Sequence, residues 1–219
     1  MGKKIAIDFG TSNTTIALWN ETLGKEELMK IDGMSRKYKN PSEHITPEMY
    51  CIPSIINFDG NNLLAGQEVF DKGKEFSHAT FRDIKRYIMK RKPLPRDVGG
   101  KKISFYDSGE YFLSEIISRA NKIAGDKIQE IIFTLPVDAF QHYQEWIGEI
   151  CVKFDIDYYR VIDEPSACAF GYDAGVEDGD IIMVFDFGGG TLDVSIVKIE
   201  LSGHGDRKSV VVGKGGAGI

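Results

Sequence analysis

From Ile181 to Ile199 the chain reads IIMVFDFGGGTLDVSIVKI. Five consecutive apolar residues, Ile181 to Phe185, suit a buried strand. Asp186 ends the run, Gly188, Gly189 and Gly190 turn the chain, and Thr191 to Ile199 resumes as a strand. Lys3 to Trp19, KKIAIDFGTSNTTIALW, has the same layout: a strand at about 3–9 closing on Asp8, then Phe9-Gly10, then Thr11 and Ser12, then a strand at about 13–19. The two copies stand about 180 residues apart, a spacing that suits two similar lobes.

Between them the pattern alternates. A third strand is expected at about 26–31, followed by a polar loop or excursion over 32–50 that holds His44, Pro41 and Pro47. Cys51 to Phe58 reads as a strand with Pro53 near its start, Gln67 to Lys72 as a short helix, and Phe81 to Lys90 as a helix or helical turn with a basic face. Residues 92–100 form a Pro/Gly loop before a strand near 101–106. Leu113, Ile116, Ile117, Ala120, Ile123 and Ala124 recur at helical spacing, with Ser108 as the expected N-cap and Gly125 as the stop. Phe140, Tyr143, Trp146, Ile147, Ile150, Cys151 and Phe154 form a second such stripe, which Asp138 can cap. Both stripes read as core. Strands are expected at Glu130–Leu135 and Tyr158–Ile162, and Glu164-Pro165 opens a further helix with proline at its favoured position.

This alternation predicts an α/β fold with partly parallel pairing. Three close antiparallel strands joined to later βα units form a ribonuclease-H-like lobe with a mixed sheet. Residues 1–31 and 106–178 would be its core, 32–105 an inserted small subdomain, and 179–219 the start of a second lobe.

Composition narrows the setting. The 219 residues are 42% hydrophobic and 27% charged, ordinary for a globular protein. A formal net charge of −6 argues against nucleic-acid or anionic-membrane partners. Cys51, Cys151 and Cys168 show neither a CxxC pair nor a disulfide framework, which suits a reducing compartment and a cytoplasmic protein. No apolar run reaches membrane-spanning length, and no signal peptide is expected before the first strand.

Glycines without Cβ atoms let a turn bring backbone N–H groups against an anion. A carboxylate just before such a turn is poorly placed to face phosphate but well placed to hold a hydrated Mg2+ against it. For one stretch alone, an ordinary tight hairpin is an equal reading; the second copy favours a phosphate-and-metal site. The tail, SVVVGKGGAGI, formally contains GxGxxG at Gly213, Gly215 and Gly218. That fingerprint must open a helix and precede an acidic residue, so it is read as a decoy.

Asp8-Phe9-Gly10-Thr11-Ser12-Asn13, Glu164-Pro165-Ser166-Ala167 and Asp186-Phe187-Gly188-Gly189-Gly190-Thr191-Leu192-Asp193-Val194-Ser195 together resemble the nucleotide site of the seventy-kilodalton heat-shock chaperones, within the actin-like ATPase superfamily. Pro53-Ser54 and Thr134-Leu135-Pro136 also have counterparts there. The resemblance implies an actin-like fold that binds Mg-ATP between two lobes and hydrolyses it to ADP and phosphate. It places Asp8 and Asp186 on Mg2+ through water. It sets Gly10, Thr11, Ser12 and Asn13 against the phosphates from one side, and Gly188, Gly189, Gly190 and Thr191 from the other. Lys85, in FRDIKR, matches the catalytic lysine; a solvated surface lysine is the competing reading. Glu164 would help place metal and attacking water; a helix-start acid favoured by the dipole is its alternative. Thr191 falls near the γ-phosphate, and Asp193 joins Asp8 at a monovalent-cation (K+) site.

Two departures mark a divergent member. Asn13 stands where many members carry a bulky aromatic, and Gln144 and Glu145 occupy the region of a relay arginine. The resemblance also implies more chain than these residues: a rest of the second lobe that contacts adenosine, a peptide-binding domain, protein clients and co-chaperones. The 219 residues would then be a fragment, inactive as an ATPase by itself. Strands 192–199 and 209–213 would be exposed edges able to pair chains into a dimer. A nucleotide-dependent assembly or regulatory protein of actin-like type, with little or no hydrolysis, is the alternative function.

Overall fold

The computed structural model describes residues 2–38, 49–60, 62–139, 141–171, 177–188, 191–201 and 207–218. The chain divides into two compact units, residues 1–133 with 140–160 and residues 134–139 with 161–219. Architecture throughout is mixed α/β. Among the described residues no helix is long and apolar enough to cross a membrane.

Unit one is built on a mixed sheet. Strand β1 (Lys3–Phe9) runs antiparallel to β2 (Asn13–Asn20), and β2 antiparallel to β3 (Lys25–Leu28). Strand β4 (Arg36–Tyr38) interrupts the expected loop over 32–50 and pairs with β5 (Met49–Pro53), which in turn joins the end of β2. His44, Pro41 and Pro47 lie outside the described residues. The strand expected over 51–58 is two strands. At Ser54 the chain leaves the main sheet, and β6 (Ile55–Asp59) pairs instead with β7 (Asn62–Ala65) and β8 (Thr80–Arg82) in a small second sheet. Helix α1 (Gln67–Asp71) forms as expected. Helix α2 (Ile84–Met89) is shorter than expected because β8 claims its first residues and Asp83 takes a left-handed φ of 56°.

Strand β9 (Arg96–Val98), inside the expected Pro/Gly loop, forms a hairpin with β10 (Lys101–Ile103), the expected strand near 101–106 cut short. Gly99 and Gly100 make its turn at φ 60° and 81°, where a side chain would be strained. Helix α3 (Phe105–Ala124) therefore begins earlier than the periodicity suggested, capped by Ser104 in a capping box with Asp107. Ser108, the expected cap, is buried in the first turn and donates its hydroxyl to the Phe105 carbonyl. Gly125 ends the helix in the left-handed conformation, as expected.

Strand β11 (Ile128–Leu135) pairs parallel to β1, and helix α4 (Gln141–Lys153) follows it. Most of the apolar stripes of α3 and α4 is core: Phe112, Leu113, Ile116, Tyr143, Ile147 and Ile150 are buried with Ile5, Ile7 and Phe9 of β1. Ile123, expected in the α3 stripe, is exposed near the end of the helix, and Phe140 lies outside the described residues. Phe9 lies 5.8 Å from Phe112 and 6.3 Å from Trp146, ring centre to ring centre. Strand β12 (Tyr158–Asp163) ends the main sheet, whose order is β12-β11-β1-β2-β5-β4 with β3 also on β2. The arrangement β3-β2-β1 antiparallel with β11 parallel is the expected mixed sheet.

Unit two holds helix α5 (Glu164–Gly171) and a three-stranded antiparallel sheet of β13 (Ile181–Phe187), β14 (Thr191–Leu201) and β15 (Arg207–Gly218). Ala169 of α5 is buried with Val197 and Ile199 of β14. Two expectations are corrected. Strand β14 is paired on both sides and is no edge; β13 and β15 are the edges. The Ile181–Phe185 run is not buried on both faces. Alternation sends Ile182 and Val184 toward the α5 side, while Ile181, Met183 and Phe185 are 69%, 54% and 62% exposed.

Candidate functional site

The first turn is held by backbone and by one serine. Alternation in β1 buries Phe9 completely and leaves Asp8 exposed just before the turn. Gly10 N–H donates to the Asn13 carbonyl at 3.1 Å, closing the turn over Thr11 and Ser12. A Cβ on Gly10 would lie 2.3 Å from that carbonyl oxygen, so only glycine fits. Ser54, 2% exposed, donates its backbone N–H to the Ser12 carbonyl and its hydroxyl to the Gly10 carbonyl, both at 2.8 Å. The same hydroxyl takes a bond from Thr14 at 2.9 Å. The Cys51 thiol reaches the Asn13 side-chain oxygen at 3.5 Å. Burial raises the Cys51 thiol above its ordinary value, and Arg36 opposes that shift.

Lys85 also belongs to unit one. It lies in α2 and is 5% exposed, so the surface-lysine reading fails. Arg86, Lys90 and Arg91, its basic neighbours, are solvent-exposed.

Unit two gathers three of the expected carboxylates around one cavity of about 420 Å³. Glu164, Asp186 and Asp193 all line it, with Ser195, Cys168, Asp138, Lys214 and Gly216 among the other lining residues. Asp163 accepts from the Ser166 N–H at 2.8 Å, the bond of an N-cap, which fixes Glu164 at the start of α5. Asp186 and Asp193 are cross-strand partners in the β13–β14 ladder. Like charges placed directly opposite repel, so this pair suits a bound cation. Gly216 faces Asp193 from β15; a Cβ there would meet the Leu192 carbonyl at 2.6 Å and Asp193 Oδ1 at 2.9 Å. The Lys214 ammonium donates to Asp138, whose carboxylate is therefore engaged by β15.

Of the second turn, Gly188 is described and exposed. Gly189 and Gly190 lie outside the described residues, as does the side chain of Thr191. The structure thus assigns Asp8, Gly10, Thr11, Ser12, Asn13 and Lys85 to unit one, and Glu164, Asp186, Gly188 and Asp193 to unit two. Among the described residues no group of three or more His, Cys, Asp or Glu side chains is arranged to ligate an ion directly.

The family model for the Hsp70 protein matches residues 94–206, just over half of the chain. The chain belongs to the Hsp70 family. Its mixed α/β architecture is compatible with the Hsp70 ATPase fold, and membership makes it a chaperone-like nucleotide-binding domain. Hsp70 proteins generally bind ATP or ADP with Mg2+ and are generally ATPases, and the family implies nucleotide as a partner. In this Hsp70-family chain the matched stretch includes Glu164, Asp186 and Asp193 but ends before Lys214, and it begins after Lys85 and the first turn.

Sequence reasoning missed Asp163, Asp138 and Lys214 as site-building residues, and it noted Ser54 only within the Pro53-Ser54 counterpart, with no role given to it. Asp163 carried a readable signal, a preferred capping residue directly before Glu164. Ser54 and the Asp138–Lys214 pair join positions 44 and 76 residues apart, which no local pattern links.

Proposed function

We propose that this domain binds Mg-ATP between its two strand–turn–strand devices and hydrolyses it to ADP and phosphate as part of a chaperone-like protein. The observation that carries this reading is the convergence of Glu164, Asp186 and Asp193 on one cavity, with Asp186 and Asp193 paired across strands. That donor set fits a hydrated cation: a like-charge pair backed by a third carboxylate stabilises positive charge. Gly10 and Gly216, each too close to its neighbours for a Cβ, fit a site shaped by close backbone approach.

In this reading Asp8 and Asp186 hold Mg2+ through its waters, and Asp193 serves a monovalent cation such as K+ with Asp8. When bound, Mg2+ neutralises charge on the transferred phosphoryl group. Gly10 closes the first turn through its own N–H, and backbone N–H groups at Thr11 to Asn13 and at Gly188 to Thr191 bind phosphate oxygens. Thr191 lies near the γ-phosphate, Glu164 accepts a hydrogen bond from the attacking water, and Lys85 supplies a fixed positive charge at the reacting phosphate. Burial suits Lys85 to that role, since a desolvated charge acts more strongly than a solvated one. The division into a first-lobe core (1–31 and 106–178), an insertion (32–105) and a second-lobe start (179–219) belongs to the same proposal, as do a cytoplasmic setting, clients and co-chaperones.

The test is Mg2+-dependent phosphate release from ATP by the full-length protein beside its Lys85→Ala variant. Slow turnover that collapses in the variant supports the reading. Tight nucleotide binding with no turnover in either protein overturns the hydrolytic part of it.

A further inference from the structure

The stretch GKGGAG satisfied a dinucleotide fingerprint by spacing alone, yet it lies in β15 and opens no helix. Its residues instead form a wall of the unit-two cavity, through Lys214, Gly215 and Gly216. Among the described residues that line this cavity, Lys214 is the one basic side chain, set among Glu164, Asp186, Asp193 and Asp138. Its ammonium is held by Asp138, 76 residues earlier in the chain.

We propose that Lys214 is a phosphate-binding residue of this cavity, kept in reserve by Asp138 and taken over by the phosphate of a nucleoside polyphosphate. The inference rests on the nucleotide reading above and extends it to a residue outside the stretch that matches the family model. Three observations support it. The Lys214 and Asp138 side chains are 48% and 71% exposed, and an ion pair so exposed is held weakly. A phosphate presents more charge and more acceptor oxygens than one carboxylate, so it competes well for the ammonium. A cavity whose other charged groups are all carboxylates disfavours an anionic ligand unless cations balance them. Lys214 is a built-in share of that balance, and a metal ion supplies the rest.

The pair is a latch with an unusual signature: its two partners act in opposite directions. Removing Lys214 weakens ligand binding, whereas neutralising Asp138 releases the lysine and strengthens it. A merely structural ion pair moves both variants the same way. Cys168 provides a second readout, because it lines the same cavity and is exposed, while Cys51 and Cys151 are buried.

The experiment titrates the full-length protein with ADP plus Mg2+ by calorimetry, with adenosine as the phosphate-free control, and follows iodoacetamide labelling of Cys168 with and without ADP. Lys214→Gln is expected to weaken ADP binding about tenfold. Asp138→Asn is expected to tighten it about threefold. Adenosine binding stays the same in both, and ADP protects Cys168 less in Lys214→Gln than in the wild type. Unchanged ADP affinity in Lys214→Gln overturns this inference and leaves the nucleotide reading standing, as does a loss of affinity in Asp138→Asn. Absence of ADP binding by the wild-type full-length protein overturns both.

Discussion

The hydroxyl of Ser54 donates to the carbonyl of Gly10 at 2.8 Å, from a residue that is itself 2% exposed. Ser54 is also where the chain leaves the main sheet for the small one, so the sheet change and the β1–β2 turn are fixed by one residue. Ser54→Ala leaves the Gly10 carbonyl and the Thr14 hydroxyl without this partner. Urea denaturation is expected to show a stability loss of about 1–3 kcal/mol. Ser54→Thr, which keeps the hydroxyl, is expected to lose less. An Ala variant as stable as the wild type would remove the serine from this account.

Arg119 ties α1 to α3. Its guanidinium meets both Glu68 carboxylate oxygens, at 2.9 and 3.2 Å, and Glu115 at 3.1 Å. The hydrogen bond to Glu68 is the main cause of its raised pKa, opposed by desolvation. Lysine cannot reproduce two parallel bonds. Arg119→Lys and Arg119→Ala are therefore both expected to lower stability, by about 1 and about 2 kcal/mol. Equal stability of Arg119→Lys and the wild type would show that point charge alone suffices.

Most of the scaffold was legible because its signals are local. The β1 turn announces itself in an apolar run ending in Asp8-Phe9-Gly10, and the stripe of α3 and its Gly125 stop follow from helical period. The start of α3 was misplaced because Ser104 and Ser108 offer the same chemistry one turn apart, and only the Asp107 capping box separates them. A solvated reading of Lys85 competed with the resemblance because Arg86, Lys90 and Arg91 surround it with exposed charge. Burial of one lysine in a basic run is decided by what lies against α2, which sequence does not show. The strand over 51–58 looked continuous because the sheet change at Ser54 is imposed by a contact with Ser12, 42 residues earlier (54 − 12).

Cys151 gives a pH-dependent prediction. It is 1% exposed in α4, and burial pushes its thiol from the ordinary 9.0 up to about 11. A folded pKa above the unfolded one means the folded state holds the proton more tightly. The associated stability is fully present below about pH 9 and is lost as pH rises toward 11. Lysines and tyrosines titrate in the same range, so the comparison that isolates the thiol is with Cys151→Ala. The urea midpoint of the wild type is expected to fall more steeply from pH 9 to 11 than that of the variant. Parallel slopes would mean that the thiol does not titrate in this window.

Gly216 separates a cation site from an ordinary hairpin in unit two. Its Cα lies against Asp193, and the space a Cβ needs is already filled by the Leu192 carbonyl and Asp193 Oδ1. Gly216→Ala must displace both the Leu192 carbonyl, and with it the strand, and the Asp193 carboxylate. The first displacement is expected to lower stability by about 1–3 kcal/mol. The second moves Asp193 from its place opposite Asp186 and is expected to reduce any difference between Na+ and K+. Both are read from the urea midpoint of Gly216→Ala with Na+ and with K+. The Asp193→Asn variant, which removes the charge without crowding the strand, serves as reference. A midpoint in Gly216→Ala that matches the wild type in both salts would show that the close approach of Gly216 and Asp193 does not shape the site.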